Sequence, residues 1–292
     1  MSFDTVLAGL DLGPYCQPVA EFARSLAWKL DAKLVYLHSE EDAPLSPGWA
    51  ELALEAERYR REAATRHADE GQATVVWRTG PPAAALQDEA AALGASFVVA
   101  GTGAYGHEPM LGTIALKMLR SVTLPLCLVP THEGARTTLS GARILAPVDV
   151  GSSGLDWLRM VGELAAQLET TVALVHVVRP PRLVTQLGPE SAARLPELIR
   201  ELLDGATHAL KQRAKEAGLE HTSLRVLESD DPAEAILEEA RQLDVDLIAL
   251  PAHQKSPLER LVVGSITERL ARLTNRPLLV FPSGYGVAPA GD

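Results

Sequence analysis

The sequence predicts an α/β protein made of two tandem copies of one doubly wound unit, each with a five-stranded parallel sheet. Three observations support this prediction. Similar segments recur at a nearly constant interval, short apolar runs of four to seven residues appear in each copy, and alanine-rich amphipathic stretches separate these runs. Short apolar runs are typical of strands buried on both faces of a parallel sheet, and amphipathic stretches are typical of the helices that cover it.

The repeat is clearest in the first two strands of each copy. TVLAGLDLG resembles RILAPVDVG, which aligns Asp11 with Asp149, and AKLVYLHSE resembles TVALVHVVR, which aligns His38 with His176. Both pairs are separated by 138 positions (149 − 11 and 176 − 38). A shared separation over two strands indicates duplication of a structural unit.

Later segments continue the alignment, with about 12 extra residues after the second strand of the second copy and two more in a later loop. ASFVVAGTG matches VDLIALPAH, so Gly101 aligns with Pro251, and Gly112 aligns with Gly264 further on. In the first copy the pattern predicts strands over 6–10, 34–37, 97–100 and 124–129, and helices over 19–30, 49–70 and 82–93. In the second copy, residues 190–217 have the pattern of a long amphipathic helix with its leucine stripe in the core, the residues being Leu195, Leu198, Ile199, Leu202 and Leu203.

These elements divide the chain into two domains. We predict a first domain over 1–131, a second over 142–292, and a polar linker rich in glycine and threonine over 132–141. A single unit would expose its last strand as an edge, and exposed edges favour pairing. We therefore expect the copies to pack as a pseudo-dimer within one chain, with 124–129 against 278–281; the sequence leaves a further dimer of two chains open.

Composition excludes several classes of protein. The chain of 292 residues is 47% hydrophobic and has no apolar run near the roughly 18 residues of a membrane span. Its first residues lack the pattern of a signal peptide, so we expect a cytoplasmic protein. The formal net charge of −11 argues against nucleic acid or an anionic membrane as a partner.

No metal or catalytic centre is predicted. The two cysteines, Cys16 and Cys127, give neither a disulfide framework nor a cysteine-based metal site, and the eight histidines form no HxxH or HExxH pair. His38 and His176 match each other on second strands, which favours a structural role for both. Asp11 and Asp149 follow strands, where ligands bind in such sheets, but no base or nucleophile accompanies them in sequence. We therefore predict that the chain is not an enzyme.

The pair Gly264-Ser265 has two interpretations. It could cradle a phosphate, or it could simply begin the last helix, because Ser265 with Glu268 three residues later fits a capping box. We predict that Ser265 serves chiefly as the N-cap of this helix.

Four features occur in the same order in both copies: the strand ends LDLG and VDVG, the segments LHS and VHV, the Gly-Thr and Gly-Ser turns, and the LP and RP pairs before the last strands. With these features the chain resembles the universal stress protein family in its tandem form. The resemblance covers roughly residues 4–131 and 142–283 and implies the adenine-nucleotide alpha-hydrolase-like fold. Members that bind ATP or another adenine nucleotide carry Gly-x2-Gly-x9-Gly-[Ser/Thr] after the fourth strand. The resemblance implies binding positions at Asp11, Ser39, Gly101, Gly103, Ala104, Gly106, Gly112 and Thr113 in the first copy, and at Pro147, Asp149, Val177, Gly264 and Ser265 in the second.

Neither copy keeps this motif intact. The second has Pro251 and Gln254 at the first two glycine positions, and proline lacks an N–H and fixes φ. The first keeps Gly101 but has Ala104 at the second position and is two residues short before Gly112. Several glycines nevertheless leave backbone N–H groups of the first copy able to converge on phosphate, so we expect any nucleotide to bind in the first half.

Three functions stay open from the sequence. The first is a stress-response protein without turnover that binds adenine nucleotide through a degenerate site. The second is a weak ATP-hydrolysing enzyme, and the third is an adaptor whose clefts work without nucleotide.

Overall fold

The computed structural model consists of one twisted sheet covered by helices on both faces. Strand and helix alternate along most of the chain, as the hydrophobic pattern predicts. The structure describes residues 3–13, 16–40, 61–62, 65–66, 73–103, 111–121, 123–141, 143–151, 154–180, 195–252 and 264–282.

In the first half, apolar strands and amphipathic helices follow the expected order. The elements are β1 (Thr5–Gly9), α1 (Gln17–Leu30), β2 (Lys33–Glu40), β3 (Thr74–Thr79), α2 (Pro82–Leu93), β4 (Phe97–Gly101), α3 (Thr113–Arg120) and β5 (Leu126–Val129). Most of the helix predicted over 49–70 lies outside the described residues.

The second half repeats this order. The elements are β6 (Arg143–Pro147), α4 (Asp156–Gln167), β7 (Thr171–Val178), α5 (Leu195–Glu216), β8 (Ser223–Glu228), α6 (Pro232–Gln242), β9 (Leu247–Pro251), α7 (Ser265–Leu273) and β10 (Leu278–Phe281). The leucine stripe predicted for the core is wrong in part, because Leu198 and Leu202 are exposed, whereas the buried residues of α5 are Ala206, Leu210 and Ala214. Helix α5 has 22 residues, about 33 Å by its rise. It is longer than the strands it covers, so only its later turns pack on the sheet.

All ten strands form one sheet in the order β3-β2-β1-β4-β5-β10-β9-β6-β7-β8. Pairing is parallel within each half, and the two halves join through the antiparallel pair β5–β10. Cys127 lies opposite Leu279, and Leu128 lies opposite Leu278. The predicted pseudo-dimer, with 124–129 against 278–281, is confirmed by this pairing.

The antiparallel join fixes where ligands can approach. Strands of the first half all point one way, and strands of the second half all point the opposite way. The carboxyl ends of the two sets, where such sheets bind ligands, therefore lie at opposite edges of the sheet.

The hydrophobic core is continuous across both halves. On one face of the sheet, α1, α4 and α5 cover a cluster that includes Phe22 from the first half and Leu158 from the second. On the other face, α2, α3, α6 and α7 cover a cluster that includes Leu119 and Leu270. Because each cluster contains residues of both halves, the halves share their core as well as their sheet.

Residues 132–141, the predicted linker, bond to both halves. The backbone N–H of Arg136 donates to the carbonyl oxygen of Asn275 at 2.9 Å, and its guanidinium lies 3.0 Å from an Asp244 carboxylate oxygen. Towards the first half, the Thr137 hydroxyl donates to Glu21 at 3.2 Å. The connection is thus anchored to α1 and to the turns that precede β9 and β10.

In the described part of each half, a buried glutamate bonds to an arginine of the outermost strand. Glu89 of α2 pairs with Arg78 of β3, and Glu239 of α6 pairs with Arg225 of β8 at 3.0 Å. Glu239 is only 3% exposed, so its carboxylate depends on Arg225 for much of the solvation that burial removes.

We predict that Arg225→Met lowers the free energy of unfolding by about 1–3 kcal/mol, because it leaves a buried carboxylate without its charged partner. The matched control is Arg241→Met, since Arg241 pairs with Glu234 and Glu238 on the exposed side of the same helix and exposed pairs contribute little. Urea unfolding measures both variants. Equal losses in the two would contradict the role assigned to Glu239.

Candidate functional site

The loops after β1 and β6 each place an aspartate at the carboxyl ends of the strands of one half, which we call the candidate cleft of that half. Asp11 and Asp149 are both exposed, and each uses one carboxylate oxygen to accept the backbone N–H two residues later, from Gly13 and Gly151, at 3.0 Å in both cases. This side-chain-to-backbone bond folds the loop locally. The same geometry therefore presents both aspartates at the carboxyl end of their sheet half.

The two matched histidines lie on the second strands, β2 and β7, and each bonds to the loop that carries the aspartate of its half. Nδ1 of His38 lies 2.7 Å from the carbonyl oxygen of Leu10, and Nδ1 of His176 lies 2.8 Å from that of Val148. A carbonyl oxygen can only accept, so Nδ1 carries the proton in both rings. Each histidine thus ties its second strand to the loop before the aspartate.

The residues that follow these histidines face different surroundings. The Ser39 hydroxyl donates to the carbonyl oxygen of Gly80 at 2.7 Å, so it holds the turn after β3. Val177 is half-buried against the core of the second half, and Pro147 is the last residue of β6. All three residues lie near the carboxyl ends of strands of their own half.

Gly101 is closely surrounded by side chains. A Cβ at this position would lie 3.0 Å from Cγ2 of Thr131 and 3.1 Å from Cγ2 of Val19, closer than ordinary contact. The chain's own side chains therefore fill the space beside Gly101. In the second half, Pro251 closes the corresponding strand.

Gly103 and Gly112 meet face to face and close the loop between β4 and α3. Gly103 has φ of +75°, and a Cβ on it would lie 3.2 Å from the Cα of Gly112. The N–H of Gly112 donates to the carbonyl oxygen of Thr102 at 2.7 Å. The expectation that this N–H is available to a phosphate is therefore wrong, because closure of the loop already uses it. Ala104 and Gly106 lie outside the described residues.

Both closing helices begin at a glycine. Gly112 is the N-cap of α3 and Gly264 is the N-cap of α7, and neither helix has a side-chain cap. Thr113 and Ser265 are the first helical residues, and both are exposed.

The prediction that Ser265 caps α7 is wrong. A side chain at the first helical position cannot occupy the place of the N-cap oxygen, because the residue already has helical backbone angles. Glu268 does not complete a capping box either, since its carboxylate accepts from Arg272 at 3.1 Å. The amide groups at the start of this helix are therefore not covered by a capping side chain.

Thr102 is a candidate site residue that the sequence does not point to. It is 2% exposed, and its hydroxyl oxygen is buried without a hydrogen-bond partner. The strand alternation places it on the same face as Ala100, which packs in the core with Ala115 of α3. The alignment of the two copies shows one difference that could have pointed to Thr102, because Ala252, which lacks the hydroxyl, stands at this position in the second half. The equivalence is visible in the backbone: Thr102 N–H donates to the carbonyl of Val129, and Ala252 N–H donates to that of Phe281.

Two further groups lie beside the aspartate loops. Burial, and then the nearby Asp11 carboxylate, raise the pKa of the Cys16 thiol to about 11, so it stays protonated at neutral pH and is a poor nucleophile.

In the second half, the Arg213 guanidinium donates to the carbonyl oxygen of Val150 at 3.3 Å. A cation from α5 therefore stands next to the Asp149 loop, a feature that sequence reasoning did not identify.

Within the described residues, no three or more histidine, cysteine, aspartate or glutamate side chains come together as a metal centre. None of the helices in the same residues is long and apolar enough to cross a membrane.

Comparison with known proteins gives two sequence matches. The model of the universal stress protein family matches residues 2–130 and 142–282, one match in each half. A universal stress protein from Methanocaldococcus jannaschii is 30% identical over 139 residues, which make up 47% of this chain and 80% of that protein.

Solved structures share the whole architecture. A universal stress protein from Archaeoglobus fulgidus aligns over 97% of this chain and 100% of its own, with 17% identity and a TM-score of 0.67. A putative universal stress protein from Pseudomonas aeruginosa aligns over 96% of this chain and 94% of its own, with 18% identity and a TM-score of 0.57. These similarities establish the fold.

We predict that Ser265→Ala changes the free energy of unfolding by less than about 0.5 kcal/mol, as expected for an exposed residue that makes no capping bond. The matched control is Asp231→Ala, because Asp231 caps α6 by accepting the N–H of Glu234 at 3.2 Å. Urea unfolding should show a clear loss only for the control. A loss of about 1 kcal/mol in Ser265→Ala, the usual cost of a lost cap, would show that Ser265 is the N-cap after all.

Proposed function

The chain belongs to the universal stress protein family, and we propose that it is a stress-response binding protein whose first half holds one adenine nucleotide such as ATP. The observation that carries this proposal is the buried, unpartnered hydroxyl of Thr102 beside the uncapped start of α3. A buried hydroxyl without a partner costs free energy, and a ligand oxygen would supply that partner.

The start of α3 suits an anion. Its first N–H groups have no capping side chain, and the positive end of the helix dipole favours negative charge there. Gly103 and Gly112 face each other and place no side chain of their own at the start of α3. Asp11, exposed at the end of the neighbouring strand β1, stands where the family resemblance puts adenine.

The second half lacks the corresponding features. Ala252 provides no hydroxyl where the first half has Thr102, and Pro251 has no N–H to offer. Arg213 beside the Asp149 loop adds a positive charge, but the glycine pair of the first half has no described counterpart. We assign the second half a supporting role in the shared sheet and core.

We propose binding without turnover. Asp11 and Asp149 both hold the backbone of their own loops, which is a structural task, and the raised pKa of the Cys16 thiol keeps it from acting as a nucleophile. Both cysteines are free, which fits the reducing cytoplasm as the place of action.

Calorimetric titration with ATP tests the assignment through Thr102→Val. This variant keeps the shape of the side chain but removes the hydroxyl. We expect it to weaken ATP binding roughly tenfold or more, as expected for a hydrogen bond to a charged group. Its thermal stability should be unchanged or higher, because the buried unpaired hydroxyl is gone.

Two glycine variants decide between the halves. Gly112→Val should abolish ATP binding, since a side chain there would press on Gly103 and on the carbonyl of Thr102, whereas Gly264→Val should leave it intact. Thermal melting checks that both variants are folded. Binding lost only in Gly264→Val would move the site to the second half. Wild-type protein that does not bind ATP would contradict the nucleotide proposal, and release of inorganic phosphate from ATP would contradict binding without turnover.

A further inference from the structure

The early turns of helix α5 carry leucines that the fold leaves exposed. Leu198 and Leu202 are 45% and 40% exposed, whereas the buried residues of the helix are Ala206, Leu210 and Ala214. At about 100° of rotation per residue, the two leucines lie roughly a quarter-turn away from the buried line. Packing on the sheet therefore does not account for them, and exposed leucines that share one side of a helix are typical of an interaction surface.

Two small residues continue this line towards the C-terminus of the helix. Gly205 and Ala209 follow Leu198 by seven and eleven positions, spacings that keep residues on one side of an α-helix. A Cβ added to Gly205 would find nothing to pack against within 4 Å. Glycine inside a helix costs stability relative to alanine, and packing within the described chain does not require one here. We call Leu198, Leu202, Gly205 and Ala209 the α5 ridge.

The α5 ridge fits a second copy of itself. A two-fold axis that passes between residues 203 and 204 sets Leu198 of one copy opposite Ala209 of the other, and it sets Leu202 opposite Gly205. Each large side chain then meets a small residue, which lets the two helices approach closely and interlock their surfaces. The same contacts occur twice, as the symmetry of a dimer requires.

Polar residues beside the ridge agree with this antiparallel arrangement. Glu201 and His208 are exposed and lie along the same side of the ridge. About the same axis, His208 of one copy lies within about two residues, or roughly 3 Å, of the level of Glu201 of the other, so an imidazole N–H can donate to the carboxylate. A parallel arrangement would instead set Glu201 against Glu201. Antiparallel helices also bring the opposite ends of their dipoles together.

We propose that two copies of this chain form a symmetric dimer through the α5 ridge. Strands β5 and β10, which could otherwise pair between molecules, already pair within one chain, so the dimer uses a surface outside the central strands. A contact along about three turns of helix is small, below about 1,200 Å² in total. We therefore expect a dissociation constant in the micromolar range.

Analytical ultracentrifugation of the full chain tests the proposal, from low micromolar to several hundred micromolar protein. Wild type should pass from monomer to dimer as the concentration rises. Gly205→Leu should raise the dissociation constant more than roughly tenfold, because its side chain would fill the space that Leu202 of the other copy occupies. Its melting temperature, measured where wild type is monomeric, should be equal or higher, because leucine favours a helix more than glycine does.

Two further comparisons separate this contact from general surface effects. Trp28→Lys removes an 87% exposed apolar side chain from α1 and should leave the dissociation constant unchanged. His208→Glu should weaken the dimer, because two carboxylates would then face each other. Glu201→Lys added to His208→Glu should restore the affinity, because opposite charges then meet again.

Wild-type protein that remains monomeric at every concentration would overturn the proposal. So would a folded Gly205→Leu variant that dimerises like wild type, a Trp28→Lys variant that loses the dimer, or a double variant that binds no better than His208→Glu. Monomeric wild type that instead binds a synthetic amphipathic helix of leucine and lysine would assign the ridge to a different protein partner, which also overturns the dimer.

Discussion

The antiparallel pairing of β5 with β10 is the constraint on which the rest of the molecule depends. It joins two five-stranded parallel sheets into one and removes the edge that each last strand would otherwise expose. Every residue of both strands is buried, so the pairing lies at the centre of the shared core. It also turns the carboxyl ends of the two halves to opposite edges, which separates the two candidate clefts.

A shared core allows the loops of one half to diverge from those of the other. The first half keeps Gly103 facing Gly112 and the hydroxyl of Thr102, whereas the second has Ala252 and Pro251 at the corresponding strand end. Because the sheet, the core and the linker hold the halves together, neither cleft needs a ligand to maintain the fold.

The repeat in the sequence predicted the fold because duplicated positions make duplicated contacts. The histidine bonds to Leu10 and Val148 repeat in the structure at the separation found in the sequence. The sequence pattern gives no bounds for the outer strands β3 and β8, because these edge strands are largely half-exposed or exposed and their apolar pattern is weak. The N-cap of the last helix is predicted wrongly from the sequence, because Ser265 fits a capping box by spacing, whereas backbone angles decide which residue is the cap. Thr102 can be identified only from the burial of its oxygen atom and the lack of a hydrogen-bond partner. Neither property can be obtained from the sequence.

The most direct test of the shared sheet and core is whether the two halves unfold together. Trp77 lies in the first half and Trp157 in the second, so two variants that each retain one of these tryptophans and replace the others by phenylalanine report on one half at a time. Urea unfolding followed by fluorescence should give coincident transitions in the two variants, as expected for one cooperative unit. Two separated transitions, with one half unfolding while the other stays native, would contradict the account.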